Sequence, residues 1–196
     1  MKHILRLFLP LCATFAVVTP AMAAPFTYGP DTCEFQITFP EKPFIEKKRT
    51  NDGKDCTEIV SYTKAIGATS STSFRVSCNP LSADDVKKYT PEILEDTLKR
   101  LSKSNGLIPY DTKSGESNGY KNATSISLSE RDQKPLIYNN QIWVGKTSLF
   151  TIEAEIAGNK NDDIEKTFAD ILKKTYPKDH PPKSTPAQSS APTSPP

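Results

Sequence analysis

Four cysteines are the most chemically versatile residues of this 196-residue chain, since a thiol can act as a nucleophile, bind a metal or form a disulfide. Cys12 lies in an apolar N-terminal run, which leaves Cys33, Cys56 and Cys78 for the remainder of the chain. No two of these three form a Cys-x-x-Cys pair, the spacing typical of thiol–disulfide oxidoreductases. Their spacing therefore argues against an enzyme of that class.

Histidine is scarce, and this restricts the reactions that the protein could catalyse. The two histidines are His3 and His180, which lie close to the two ends of the chain and outside the predicted folded domain. Without histidine, that domain could not contain a Ser-His-Asp triad, a Cys-His pair or an imidazole metal site. A zinc site built from the three cysteines would also need an unusual fourth ligand. We therefore expect no catalytic residues, no metal site and no cofactor.

Two carboxylates, Glu153 and Glu155, alternate along a predicted strand and so share one face of it. On that face they could bind a divalent cation or act as a general acid and base. A strand face that contacts water explains the same alternation without any chemistry. We interpret the two residues as part of a solvated face.

The first 23 residues resemble a secretory signal peptide. Lys2 and Arg6 precede an apolar run, and Ala21-Met22-Ala23 matches the small-x-small pattern of a cleavage site. The run is too short to span a bilayer comfortably, and no later segment is apolar enough to do so. We predict a signal peptide over residues 1–23, no membrane span, and secretion, into the periplasm if the host is a bacterium.

An oxidising compartment favours a structural disulfide among the three remaining cysteines. Cys56 and Cys78 lie at equal distances from Gly67, within a predicted hairpin that would place them opposite each other on the core side. We predict a Cys56–Cys78 disulfide with Cys33 as the free thiol, buried in the core. A bridge from Cys33 to Cys78 or to Cys56 is the competing arrangement.

Hydrophobic periodicity indicates which elements position these residues. Phe35, Ile37 and Phe39 alternate with polar residues in "CEFQITFP", which is typical of a strand with one buried face. Ser82 and Thr90 resemble helix N-caps. Predicted strands cover 35–39, 56–66, 71–78, 122–130, 135–144 and 147–157, predicted helices cover 83–104 (broken near residue 90) and 162–174, and residues 110–121 are predicted to form a loop. The pattern predicts an α+β fold with a largely antiparallel sheet of about six strands and two main helices.

The residue composition predicts that the rest of the chain consists of one folded domain and a tail. Residues 24–176 are predicted to form a single α+β domain, and residues 177–196, rich in Pro, Ser and Thr, a disordered tail. Loss of the signal peptide would lower the 25 basic residues to 23, which equals the 23 acidic ones. A chain balanced in this way has no excess positive charge with which to bind a polyanion, so we expect no nucleic-acid partner.

Trp143 offers a candidate binding surface. In its predicted strand Ile142 and Val144 face one way, and Trp143 faces the other way together with Ile137. An apolar group on the second face needs a cover, which would be a helix of the same domain or a partner protein. Trp143 and Ile137 therefore form the predicted partner patch.

The order of elements from Phe35 to Tyr176, together with the "FQITFP" strand, resembles the PsbP-like superfamily. That superfamily includes a lumenal photosystem subunit, a Ran-binding nuclear import factor and small secreted bacterial proteins. The resemblance implies a compact module that binds a partner, and it supplies no catalytic motif. We therefore expect a secreted, non-enzymatic binding or accessory module for a protein or envelope component. The alternative is a thiol-dependent enzyme or redox protein that uses the unpaired cysteine.

Overall fold

The computed structural model describes residues 23–49, 56–131 and 133–181. Ten strands and three helices follow one another in this part of the chain. In order they are β1 (Phe26–Tyr28), β2 (Phe35–Phe39), β3 (Phe44–Arg49), β4 (Cys56–Ile66), β5 (Ser70–Pro80), α1 (Ala83–Lys88), α2 (Pro91–Ser104), β6 (Ile108–Ser117), β7 (Tyr120–Arg131), β8 (Lys134–Val144), β9 (Ser148–Gly158), α3 (Asp162–Lys173) and β10 (Thr175–Pro177).

The strands form two antiparallel sheets. The main sheet has seven strands in the order β3-β4-β5-β9-β8-β7-β6, and a small sheet has the order β1-β2-β10. The predicted α+β class and antiparallel pairing are confirmed, but the predicted six strands and two helices are too few. Three of the missing strands, β1, β3 and β10, are short or mainly polar, so no hydrophobic alternation reveals them.

The predicted loop over residues 110–121 is wrong, because this segment is a hairpin made of β6 and the start of β7. Asn118 and Gly119 form its two-residue turn between Ser117 and Tyr120, with positive φ angles of 56° and 78°. An Asn-Gly turn of this kind matches the twist of the flanking strands. Because β6 is mainly polar, no alternation of apolar and polar residues indicates a strand there.

The helices begin where their predicted N-caps lie. Ser82 accepts a hydrogen bond from Asp85 N at the start of α1, and Thr90 accepts one from Ile93 N at the start of α2. The predicted break near Thr90 is therefore confirmed. Asn161 caps α3 through its side-chain oxygen in the same way.

Two hydrophobic clusters pack against opposite faces of the main sheet. On one face, which we call the α3 face, the small sheet and α3 cover mainly β4, β5 and β9. On the other, the α2 face, helix α2 covers β6, β7 and β8. The largest fully buried side chains include Phe35, Phe39, Phe74, Phe150, Leu94 and Leu98. Because the two covers lie over different strands, the α3 face of β6, β7 and β8 retains exposed apolar residues.

The described chain continues past the predicted domain boundary at Tyr176. Lys178 N donates to Glu34 O at 2.9 Å, and the Tyr120 hydroxyl donates to Asp179 Oδ2 at 2.8 Å. The His180 ring lies 6.0 Å from the Tyr120 ring, so one histidine does contact the folded domain. The predicted signal peptide, apart from its last residue, and the tail from residue 182 onward lie outside the described residues.

No helix in the described part of the chain is long and apolar enough to cross a membrane.

Candidate functional site

The cysteines pair differently from the prediction. Cys33 and Cys78 form the disulfide, with their Cα atoms 6.1 Å apart, and Cys56 is an exposed free thiol. The predicted Cys56–Cys78 bridge and the predicted free Cys33 are therefore wrong, and the competing Cys33–Cys78 pair is the one that the fold contains. A thiol-dependent function would have to use Cys56.

The register of the β4–β5 hairpin explains the error. Ile66 lies opposite Ser70, so the turn is centred on Ala68 and not on the predicted Gly67. Continuing this register places Glu58, and not Cys56, opposite Cys78. A shift of one residue in the turn centre thus displaces the partner by two positions along the opposite strand. Cys78 instead bonds to Cys33, which lies between strands β1 and β2 of the small sheet.

Trp143 and Ile137 share the α3 face, as the alternation along β8 predicts, but they lie in different surroundings. The Trp143 ring is partly buried 5.9 Å from the Phe35 ring, and its Nε1 donates to Gln141 Oε1 at 3.0 Å. Strand β2 therefore forms part of the cover, within a cluster that also contains Ile171 of α3. Ile137 lies six positions earlier along β8 and is 38% exposed. Of the two predicted patch residues, Ile137 is the one on an open surface.

Ile137 is part of an exposed set that the sequence reasoning missed, which we call the apolar row: Ile108, Leu128 and Ile137. Ile108 lies directly opposite Leu128, and Leu128 directly opposite Ile137, so the three side chains cross β6, β7 and β8 on one face. Their exposed fractions are 75%, 44% and 38%. Ile156 on β9 continues the line and is half-buried. The row is a contiguous apolar strip that reaches the edge of the sheet.

The edge at which the row ends is strand β6. Its register shifts between Pro109 and Asp111, and Tyr110 lies at this bulge with 76% of its surface exposed. Beyond the bulge, Asp111 and Lys113 form an ion pair at 2.8 Å. The apolar row therefore ends next to an exposed aromatic ring and a pair of opposite charges.

A second feature is a cavity of about 560 Å³ between β1, the start of β4 and the end of β5, which we call the thiol cavity. Its lining includes these residues with polar, charged or sulfur-containing side chains: Tyr28, Lys47, Cys56, Glu58, Cys78 and Asn79. It thus brings the free thiol and one sulfur of the disulfide to the same space. Lys47 Nζ lies 3.5 Å from Glu58 Oε1, so the cavity wall also carries both signs of charge.

Tyr28 contributes a polar group from the base of this cavity. Its side chain is 5% exposed, and its hydroxyl lies near the Glu58 carboxylate. Burial, followed by the negative charge of Glu58, raises the pKa of Tyr28 to about 12.

Glu153 and Glu155 lie on the α2 face of β9. The Tyr138 hydroxyl donates to Glu153 Oε2 at 3.4 Å, and burial, followed by the charges of the two glutamates, raises the pKa of Tyr138 to about 12. Arg75 lies directly opposite Glu153 on β5. Among the described residues, no three His, Cys, Asp or Glu side chains come together as metal ligands. The geometry fits a polar, solvated face.

Comparison with known proteins gives distant structural neighbours. No protein-family model and no curated protein sequence matches the chain. A solved structure from Bacteroides thetaiotaomicron aligns with 80% of this chain and 48% of its own, at 10% identity and a TM-score of 0.33, so this chain spans about half of that protein's length. LpqN of Mycobacterium tuberculosis, which is involved in cell envelope biogenesis, aligns with 78% of this chain and 83% of its own, at 13% identity and a TM-score of 0.30. At these identities, function has to be argued from the residues of this chain.

Proposed function

We propose that the protein is a secreted, periplasmic, non-enzymatic binding module that holds an extended, apolar segment of a partner protein against the apolar row. The observation that carries this proposal is the exposure of Ile108, Leu128 and Ile137 as direct cross-strand neighbours. Three aligned apolar side chains on a sheet face form a strip into which alternate side chains of a strand can pack. Exposed contiguous apolar surface of this kind marks binding sites in soluble proteins.

The two edges of the main sheet differ in a way that supports a partner at β6. At the opposite edge, β3 carries Lys47, Lys48 and Arg49 after one exposed aromatic residue, Phe44, and charged residues discourage pairing with another strand. Strand β6 instead presents Ile108 and Tyr110, each exposed by about three quarters. In recognition by strand addition, main-chain hydrogen bonds supply affinity and side-chain contacts supply specificity.

The cysteines and the predicted signal peptide support the compartment that we propose. A buried structural disulfide persists in an oxidising environment and is rare in the reducing cytosol. The resemblance of residues 35–176 to the PsbP-like superfamily supports a partner-binding role in place of catalysis. Together these features support an accessory protein of the bacterial envelope.

Site-specific photo-crosslinking in living cells tests this proposal. A photoreactive phenylalanine analogue replaces Tyr110 in one variant and Ile93 in another. Ile93 is an exposed apolar residue of helix α2, 47% exposed, and serves as the matched control. We expect discrete adducts of defined mass from position 110 and none of those adducts from position 93. A synthetic peptide from the crosslinked segment then permits a binding measurement.

Substitutions in the apolar row test the proposal quantitatively. Ile108→Ser removes a mainly exposed apolar group and should change the free energy of unfolding by less than about 0.5 kcal/mol, and Ile137→Ser, at a side chain that is 38% exposed, should cost about 1 kcal/mol. Each should weaken binding of the crosslinked peptide by roughly tenfold or more, as expected for an apolar anchor. Ile93→Ser should leave the affinity unchanged. Equal effects of Ile93→Ser and Ile137→Ser, or identical adducts from positions 93 and 110, would remove the apolar row from consideration.

A further inference from the structure

We propose that residues 111–117 of β6, which we call the β6 edge, pair antiparallel with the same residues of a second copy of this chain. The pairing joins two main sheets into one continuous sheet and makes a symmetric dimer. The apolar row begins at Ile108, before the β6 edge, and continues onto β7 and β8. The dimer therefore leaves the row open and does not depend on a partner being bound there.

The β6 edge has backbone groups that are free to pair. Among the described residues, β7 is the only strand that is hydrogen-bonded to β6, which ends the seven-stranded sheet. The two-residue turn between these strands closes on a hydrogen-bonded pair, Ser117 and Tyr120. Hydrogen-bonded and non-hydrogen-bonded pairs alternate along an antiparallel ladder. The backbone N–H and C=O groups of Thr112, Ser114 and Glu116 therefore point away from β7, toward a second copy.

This alternation limits the registers in which two β6 edges pair. Residues with outward-pointing backbone groups must face one another, so the allowed registers differ by steps of two residues. In the register centred on Thr112, Asp111 of each copy lies opposite Lys113 of the other, which gives two intermolecular pairs of opposite charge. A displacement of two residues in one direction places Lys113 opposite Lys113, and in the other direction Asp111 opposite Asp111. Cross-strand charge therefore favours the register centred on Thr112.

The charged groups of the β6 edge are accessible to a second copy. The side chains of Asp111 and Lys113 are 39% and 79% exposed and form an ion pair within one chain. They lie two positions apart in a regular part of the strand, so they project from the same face. A lysine alone on an edge strand opposes pairing with an arbitrary strand. The aspartate on the same face makes this edge complementary to itself, which is why the occupant is a second copy.

The same register places an exposed aromatic ring beside open space. Tyr110, which is 76% exposed, comes next to residues 114 and 115 of the second copy. A Cβ added at Gly115 would meet nothing within 4 Å, so an aromatic ring from the second copy has room to cover this edge glycine. Because the two-fold axis is perpendicular to the joined sheet, both α3 faces point to the same side. If the proposed function holds, one dimer would present two apolar rows on that side.

Analytical ultracentrifugation of the mature full-length protein tests the dimer. We expect a monomer–dimer equilibrium that added salt shifts toward the monomer. Asp111→Lys and Lys113→Asp each replace two pairs of opposite charge by like charges, so each should raise the dimer dissociation constant by roughly tenfold. An equimolar mixture of the two variants should dimerise again, as should the double variant Asp111→Lys/Lys113→Asp, because both restore opposite charges across the interface.

Cysteine crosslinking tests the register. In a Cys56→Ser background, which removes the exposed free thiol, Thr112→Cys places a thiol opposite its own copy. The Cα atoms of a hydrogen-bonded strand pair are about 5.5 Å apart, within the range of a disulfide. Ser114→Cys is the matched control, since position 114 lies opposite Tyr110 and not opposite itself. We expect a disulfide-linked dimer from Thr112→Cys and none from Ser114→Cys.

The proposal is overturned if the mature protein is monomeric at every concentration, if the mixed charge variants stay monomeric, or if positions 112 and 114 crosslink equally. Circular dichroism should show that the charge variants remain folded, since the substituted side chains lie at the surface. These measurements contain no partner, so their failure leaves the apolar row unaffected. Conversely, a photo-crosslinked adduct from position 110 with twice the mass of the chain belongs to the dimer, and an adduct of another mass belongs to the proposed partner.

Discussion

Removal of the Cys33–Cys78 disulfide is expected to cost about 4 kcal/mol of stability. The bridge spans a sequence separation of 45 residues. In the chain-entropy model, a loop of about 15 residues contributes roughly 3 kcal/mol and one of about 100 residues roughly 4.7 kcal/mol. The loop closed here lies between these two lengths. For a domain of this size, such a loss lowers the melting temperature by on the order of 10 °C.

The double variant Cys33→Ala/Cys78→Ala measures this cost, because replacing both residues prevents either of them from pairing with Cys56. Urea unfolding followed by circular dichroism gives the free energy of unfolding, and an unchanged denaturant dependence would show that the unfolded states are comparable. Cys56→Ala is the control and should change stability by less than about 0.5 kcal/mol, since Cys56 is exposed and unpaired. The assignment of the bridge is refuted if Cys56→Ala costs as much as the double variant, or if the double variant costs under about 1 kcal/mol.

Three further predictions concern the core, a close backbone contact and alkaline pH. Phe35→Ala should cost about 3–5 kcal/mol in urea unfolding, because the ring is fully buried among other aromatic rings; a cost near zero would contradict its central place in the core. Gly158→Ala should destabilise by more than about 2 kcal/mol, because φ is +100° and the new Cβ would lie 1.9 Å from the Thr69 carbonyl oxygen, whereas Gly115→Ala meets nothing within 4 Å and should be tolerated. Equal melting temperatures for these two variants would disprove the contact. The pKa of Tyr28 is raised to about 12, so the stability that its buried, protonated hydroxyl contributes is complete below the unfolded pKa of 10.0 and is lost as the pH rises from 10 to 12. Tyr28→Phe removes this titrating group and should therefore reduce the loss of unfolding free energy across this range. An unchanged dependence of the unfolding free energy on alkaline pH would contradict the prediction.

The sequence predicted those elements whose signal is local. Alternation identified β2, because every second residue from Phe35 to Phe39 is buried, and side-chain caps identified the helix starts at Ser82, Thr90 and Asn161. The small sheet was not predictable in this way. Its strand β10 pairs with β2 through Thr175 opposite Ile37, a contact between segments at opposite ends of the domain. No local periodicity encodes such a pairing.

The candidate sites depend on which residues lie opposite each other on neighbouring strands. Hydrophobic periodicity determines this strand register only to within two residues. The correct face was inferred for Ile137, but its neighbours Leu128 and Ile108 become visible only once the register of three strands is known. The Asn118-Gly119 turn carried part of that information, since a two-residue turn fixes the register of β6 on β7. The bulge after Pro109 then shifts the β6–β7 register by one residue, and no pattern in the sequence indicates that shift.

The position of β2 between β1 and β10 constrains how the protein assembles. The small sheet draws on both ends of the domain, and a carboxylate of β2's neighbour Glu34 accepts hydrogen bonds from the backbone of Lys146 and Thr147 in the turn between β8 and β9. In a chain that is made from its N-terminus, Cys33 and Cys78 precede these partners. The disulfide can therefore close while strand β2 still lacks both its turn and its last neighbour, and it would keep that strand beside β5 until the rest of the chain arrives.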